Sequence, residues 1–358
     1  MTSSRQNAAS IAVIFALSVS LSGCALVGGA GQLWDAAASD LSHQRALDAA
    51  AVELESIAGV RSASARFASD TPESAAAELH VVVADNLSRD QVRRIAAVAR
   101  ETFTSVDFET AAPLLTLSAA HDGAGVLSRS SFEFSDENFA DDVAYWRAAE
   151  SAVEADLSMA LTASMSGALY DRTITWPDGE DALATADSVI ANFTALAAVP
   201  DDTSSPTMWN FSGMWAYPSL PAADTVALLD EIRGTIPLAD FSADSSGMGE
   251  EYPEGVQLQL QATMREGTVL TQASIAVNHN EYREADWQNV VAAGVLASRV
   301  PDLNFSYTEK GRQFLIHTSA CTVTSAESSQ DRQLFDAVLA SGAEFLPGAG
   351  PGACIPEQ

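Results

Sequence analysis

The sequence predicts an α+β protein: two or three small units of mostly antiparallel sheet with helices packed on one face. Three observations carry that expectation. Strand-like segments alternate with helical ones, beginning in the order α-β-β-α-β, which lays helices on a small sheet. In the strand pattern over residues 78–85, Leu79, Val81 and Val83 share a side, so the sheet has a covered face. The capping box Ser88-Arg-Asp-Gln91 is followed by Val92, Ile95, Ala96, Ala99 and Phe103 at helical spacing, a single apolar stripe. With 47% hydrophobic residues, 358 residues in all and no long low-complexity tract, the chain is globular and longer than one typical core.

The first unit is placed at 39–120. Its helix runs from Asp40 to Ile57 on Leu41, Leu47, Leu54 and Ile57, with Gly59 past its end. Strands Ser62 to Ala68 and Glu78 to Asp85 flank a turn at Asp70-Thr-Pro72, and the capped helix leads to a strand from Pro113 to Ser118. The order helix, Gly59-Val60, strand, strand, helix, strand loosely resembles BON-like and ferredoxin-like modules. That resemblance implies a fold and no activity.

The second unit, 121–219, opens with a strand from Ser130 to Phe134 and a long helix striped by Phe139, Val143, Trp146, Val153, Leu157 and Leu161. Tyr170 to Trp176 is a strand. Asp178 is in place to cap the next helix, whose stripe is Leu183, Ala186, Ile190, Phe193 and Ala197 and which stops at Val199-Pro-Asp201. A strand from Met208 to Tyr217 closes the unit.

The third unit, 220–358, starts with a short helix from Asp224 to Ile232 and a polar, Gly-rich loop from Ser242 to Gly255. Val256 to Met264 and Val269 to Val277 form a hairpin about Glu266-Gly267. A helix around Trp287, Val290, Val291 and Gly294 ends at Val300-Pro-Asp302, before strands Asn304 to Tyr307 and Gln313 to Thr318 and a last helix from Asp331 to Leu339. Two helices thus end in Val-Pro-Asp and lead to Asn-Phe-Ser, at Asn210 and at Asn304, the mark of a repeated β-α-β element or of chance identity.

The N-terminus has its own grammar. A head bearing Arg5 precedes the apolar run from Ile11 to Leu21, too short to span a bilayer and ended by Leu21-Ser22-Gly23-Cys24. These four residues resemble the lipobox of bacterial lipoproteins. The resemblance implies a signal peptide over 1–23, a diacylglycerol on the Cys24 thiol after cleavage, and a lipidated tether over 24–38 at the outer face of the cell membrane. The alternative is an ordinary secretory signal with an incidental cysteine. Cys321 and Cys354 then remain as an even pair in an oxidising compartment, and a disulfide between them would tie the Pro/Gly-rich tail to the body. Two free thiols are the other reading.

A formal charge of -30 repels phosphate backbones and anionic headgroups alike, so no nucleic acid partner is expected and acyl chains, not basic residues, hold the chain at the membrane. The standard nucleophile, nucleotide and metalloprotease motifs are missing, and no catalytic residue, metal or cofactor is assigned. His80, His279 and His317 lie in or just after strands and read as sheet histidines more readily than as ligands. Asp136-Glu137, Asp141-Asp142 and Asp178-Gly-Glu180-Asp181 lack the order of a calcium loop and sit where helices begin. Period two puts Trp209, Phe211, Trp215 and Tyr217 on one face, either a stacking platform for a sugar or partner, or the inner face of a sheet. The expected role is a non-catalytic envelope lipoprotein that binds an envelope protein or glycan. Alternatives are a glycan- or small-solute-binding lipoprotein and an envelope hydrolase.

Overall fold

The computed structural model describes residues 27–69, 75–105, 108, 111–119, 125–130, 135–163, 170–201, 205–240, 253–265, 268–281, 283–300, 303–309, 312–317 and 328–341. The lipobox, Cys321, Cys354 and the Asp70 turn lie outside them. The chain divides into two compact units, 1–42 and 43–358. The described part of the first belongs entirely to α1 (Val27–Glu55), whose later turns fall in the second. Among the described residues no helix is long and apolar enough to cross a membrane.

In the second unit the order is β1 (Val60–Ser69), β2 (Ala75–Val83), α2 (Arg89–Phe103), β3 (Ala112–Ala119), β4 (Val126–Arg129), α3 (Asp136–Val153), β5 (Ser158–Ala163) and β6 (Tyr170–Thr175). There follow α4 (Ala182–Ala191), α5 (Phe193–Ala197), β7 (Thr207–Phe211), β8 (Met214–Ala216), α6 (Ala223–Arg233), β9 (Gly255–Arg265), β10 (Thr268–His279), α7 (Glu284–Ala297), β11 (Leu303–Glu309), β12 (Arg312–His317) and α8 (Ser329–Ala340).

All twelve strands form one sheet in chain order. Six antiparallel hairpins alternate with five parallel crossovers, so the sheet is mixed and its direction pattern repeats every four strands. Strand pairing runs unbroken past residues 120 and 220, where unit boundaries are expected from the sequence. Within the four-strand period β7 and β11 are equivalent, and these are the strands that carry the two Asn-Phe-Ser segments.

The helices share one face: α2 packs on α3, α3 on α4 and α5, these on α6, α6 on α7, and α7 on α8. Because strand direction reverses at each hairpin, crossovers on one face alternate in hand, a departure from the right-handed preference set by strand twist. Beneath the helices one row crosses six strands in register, Val81, Leu117, Leu127, Met159, Ile174 and Trp209, none more than 1% exposed. Each such side chain contributes about 1.5–3 kcal/mol by leaving water, which makes this row the main stabilising seam of the sheet. On α2 the capping box is present, Ser88 Oγ accepting from Gln91 N at 3.3 Å and Gln91 Oε1 from Ser88 N at 2.7 Å.

Several elements differ from the sequence expectation for identifiable reasons. The helix striped by Phe139 ends at Val153, where Glu154 turns left-handed at φ 56°; Leu157 comes directly before β5 and Leu161 lies within it. Their spacing of four suits a helix, but Leu157, Met159 and Leu161 also alternate, and the strand lets Trp146 Nε1 donate to Leu157 O at 2.7 Å. The strand expected at Ser130 to Phe134 is β4, four residues earlier, and residues 131–134 lie outside the described set. Asp181, not Asp178, caps α4. The strand expected from Met208 to Tyr217 is a hairpin that turns at Ser212-Gly213, where Gly213 has φ +72° and an added Cβ would lie 2.6 Å from Leu238.

Candidate functional site

Two arginines sit on the helix-covered face because their strands place them in the apolar phase. Arg172 shares a side of β6 with Tyr170 and Ile174, and Arg129 shares a side of β4 with Leu127. Both are fully buried. Arg172 Nε donates to Thr207 Oγ1 at 2.9 Å, Nη1 to Asp142 Oδ1 at 3.3 Å and Asp201 Oδ1 at 3.1 Å, and Nη2 to Asp201 Oδ2 and Ser205 O. Its Cζ lies 4.6 Å from the Tyr145 ring centroid. Tyr170 Oη donates to the second oxygen of Asp142 at 2.6 Å. Burial pushes Asp142 up to about 6 against the pull of Tyr170 and Arg172, and it pushes Tyr145 up to about 12. Burial also works against the charge of Arg172, but Asp201 and Asp142 outweigh it and hold the guanidinium above its ordinary value. Arg129 stacks over Phe139 at 5.0 Å and is lowered to about 10 by burial. The hydrogen bonds among Arg172, Asp142 and Tyr170 cement α3 to the sheet, and the Asp142 carboxylate is committed to Tyr170 and Arg172.

The outward acids of α3 have a similar structural use. Glu137 and Asp141 pair with Arg89, Glu137 also with Arg93, and Asp136 with Arg100 at 3.0 Å, so the acidic cluster zips α3 to α2. On the same helix, burial raises Glu150 to about 7, where its Oε1 accepts from Leu157 N at 3.1 Å.

The expected aromatic platform does not form. Trp209 and Phe211 are 1% and 0% exposed, on the helix-covered phase of β7, and the turn at Gly213 reverses the chain so that Trp215 does not continue their row. Trp215, opposite Asn210, lies half-buried on the other face of the sheet, and Tyr217 follows the end of β8. His80 is exposed with Nε2 3.0 Å from Ser118 Oγ, and the His317 side chain lies outside the described residues. His279 lines a cavity of about 210 Å³ with Glu254, Arg283, Asp286 and Asn289, at the start of α7. Among the described residues no group of three or more His, Cys, Asp or Glu is placed to hold a metal ion.

The face of the sheet opposite the helices is the feature that sequence reading missed. From β3 to β8 it presents half-buried hydroxyls and amides in register. One row runs Thr116, Ser128, Ala160, Thr173 and Met208; the next runs Ser158, Thr175, Asn210 and Trp215. In these rows Thr116, Ser128, Ser158, Thr173, Thr175 and Asn210 make no side-chain hydrogen bond among the described residues. Asp171 is the one carboxylate on this phase of β3 to β8, in a chain with 48 acidic residues. Over β9 to β11 the same phase is buried at Gln257, Ala276, Asn304 and Ser306. The signal was readable: from β3 to β8 one phase is mainly apolar and the other, apart from Asp171, is uncharged.

No protein-family model, curated protein or solved structure matches this chain.

Proposed function

We propose that the chain is a lipid-anchored, extracytoplasmic binding module without a catalytic role, held by Cys24 at the outer face of the membrane and presenting the bare face of β3 to β8 to an envelope partner. The observation that carries the reading is the near-absence of charge on that face in a molecule of net charge -30. Interface centres are depleted of charge, since a buried ion without a partner costs more than it returns. The Leu21-Ser22-Gly23-Cys24 motif supports the anchor, and a disulfide between Cys321 and Cys354 suits an exported chain. Two experiments test the parts. Cys24→Ala should release the chain from the membrane fraction; a variant that stays membrane-bound without lipid overturns the anchor. A photocrosslinking residue in place of Thr175 should trap an envelope component in cells where one in place of the exposed Glu101 on α2 does not. Equal trapping at both, or none at Thr175, overturns the binding face.

A second reading is favoured by the His279 cavity. Its volume is below the usual range for drug-sized ligands, and it mixes a guanidinium, two carboxylates, an imidazole and an amide, a lining suited to a small polar solute. Thermal shift of the full protein against free amino acids and monosaccharides tests it: a rise in midpoint lost in Asn289→Leu supports it, and no rise overturns it.

A further inference from the structure

The bare face can be assigned a ligand chemistry, an assignment that rests on reading that face as the binding surface. Its two half-buried rows are adjacent and together cross six strands at about 4.8 Å spacing, a strip roughly 24 Å long. Thr116, Ser128, Thr173, Thr175 and Asn210 offer donors and acceptors that no other described side chain uses. Every hydroxyl both donates and accepts, and an amide supplies both functions at fixed geometry. At the end of the strip stands Trp215, half-buried and held laterally between Asn210 and Gln259 by strand register. An indole flanked by amides offers an apolar face and a polar edge together.

Four classes of partner fit this strip poorly. Nucleic acid and anionic lipid need basic groups to replace their counterions, and the strip has none. A protein partner is met by surfaces enriched in aromatics, Met and Arg and depleted in Ser; here Met208 and Trp215 stand among hydroxyls. An anionic polymer would meet the field of the whole acidic body, unscreened within about 8 Å at physiological ionic strength. An uncharged polymer of sugar rings meets none of these penalties. Its hydroxyls match the Ser, Thr and Asn groups, and a ring face stacks on indole without desolvating a charge. We infer that the strip from Thr116 to Trp215 on the bare face of the sheet binds an uncharged polysaccharide strand.

The test is affinity electrophoresis of the full mature protein, in detergent, through gels cast with dextran, mannan or chitohexaose and, as the charged comparison, hyaluronate. Retardation by at least one neutral glycan is expected, weakened at least tenfold by Trp215→Ala and by Thr175→Glu but unchanged by Glu101→Ala. Thr175→Glu alters a side chain that makes no hydrogen bond among the described residues, so it keeps the test valid if Trp215→Ala perturbs β8. Retardation by none of the neutral glycans, by hyaluronate alone, or undiminished in both variants overturns the inference. A protein adduct at Thr175 in the crosslinking experiment, with no glycan retardation, would leave the binding face standing and remove only the sugar.

Discussion

The two faces of the sheet teach opposite lessons about charge. Under the helices, two arginines and an aspartate are buried outright; Arg172 and Asp142 sit in a dense set of donors and acceptors, and Arg129 lies over the Phe139 ring. On the bare face of β3 to β8, where water would make charge cheap, charge is almost missing. Charge in the interior is tied to the hydrogen bonds around Arg172, and its near-absence outside is the observation on which the proposed contact surface rests. One strand, β6, displays both, with Arg172 facing in and Thr173 and Thr175 facing out.

The strongest way to break the comparison is to change β6 on its two sides. Arg172→Leu should cost about 3–5 kcal/mol, because Asp142 and Asp201 lose their shared cation while Asp142 stays buried. Thr175→Ala on the same strand should stay within about 0.5 kcal/mol. Urea denaturation of both variants decides it; equal losses would mean that the faces are not energetically distinct. Next in size, Ile174→Ala should cost about 2–5 kcal/mol through the cavity it leaves between Met159 and Trp209, its register neighbours.

One of these faces was legible in the sequence as apolar stripes, and the other showed only as a polar phase with little charge. Strand and helix alternation, the Ser88 capping box and the apolar phase through Leu79, Val81 and Val83 are all local signals, and they recur in the structure. The continuous sheet is not a local signal: pairing of β3 with β4 and of β8 with β9 joins segments whose own patterns say nothing about neighbours. Periodicity misled at Leu157 and Leu161, which satisfy both repeats until the left-handed Glu154 decides. It also misled at Trp209 and Trp215, since period two holds only while the strand does and Gly213 ends it. Arg172 in an apolar phase was a readable anomaly, and the matching anomaly outside, a polar phase without charge, marks the candidate surface.

A smaller effect sharpens the comparison through pH. Burial holds Glu150 at about 7 in the folded chain against an ordinary 4.5, so the folded state binds its proton more tightly than the unfolded state does. For a carboxyl raised in this way, stability is fully present below about 4.5 and falls as pH rises toward 7. Glu150→Gln keeps an oxygen for Leu157 N and removes the ionisable group. It should raise stability at pH 8 by about 1–3 kcal/mol and flatten the decline between those two values. Thermal midpoints of the two proteins across pH 4 to 8 measure this directly; parallel curves would show that Glu150 is hydrated.

The least effect is expected where charge is both paired and exposed. Arg93 joins Asp90 and Glu137 between α2 and α3, and it is more than a third exposed. Such pairs gain little because water already solvates both partners and because ordering two long side chains opposes the attraction. Arg93→Gln should therefore lower the thermal midpoint slightly in low salt and not at all in 1 M salt, where screening acts within about 3 Å. A loss that survives high salt would mean that Arg93 acts through the packing of its aliphatic stem on α3, and that the outer zipper shares the structural character of the buried Arg172 cluster.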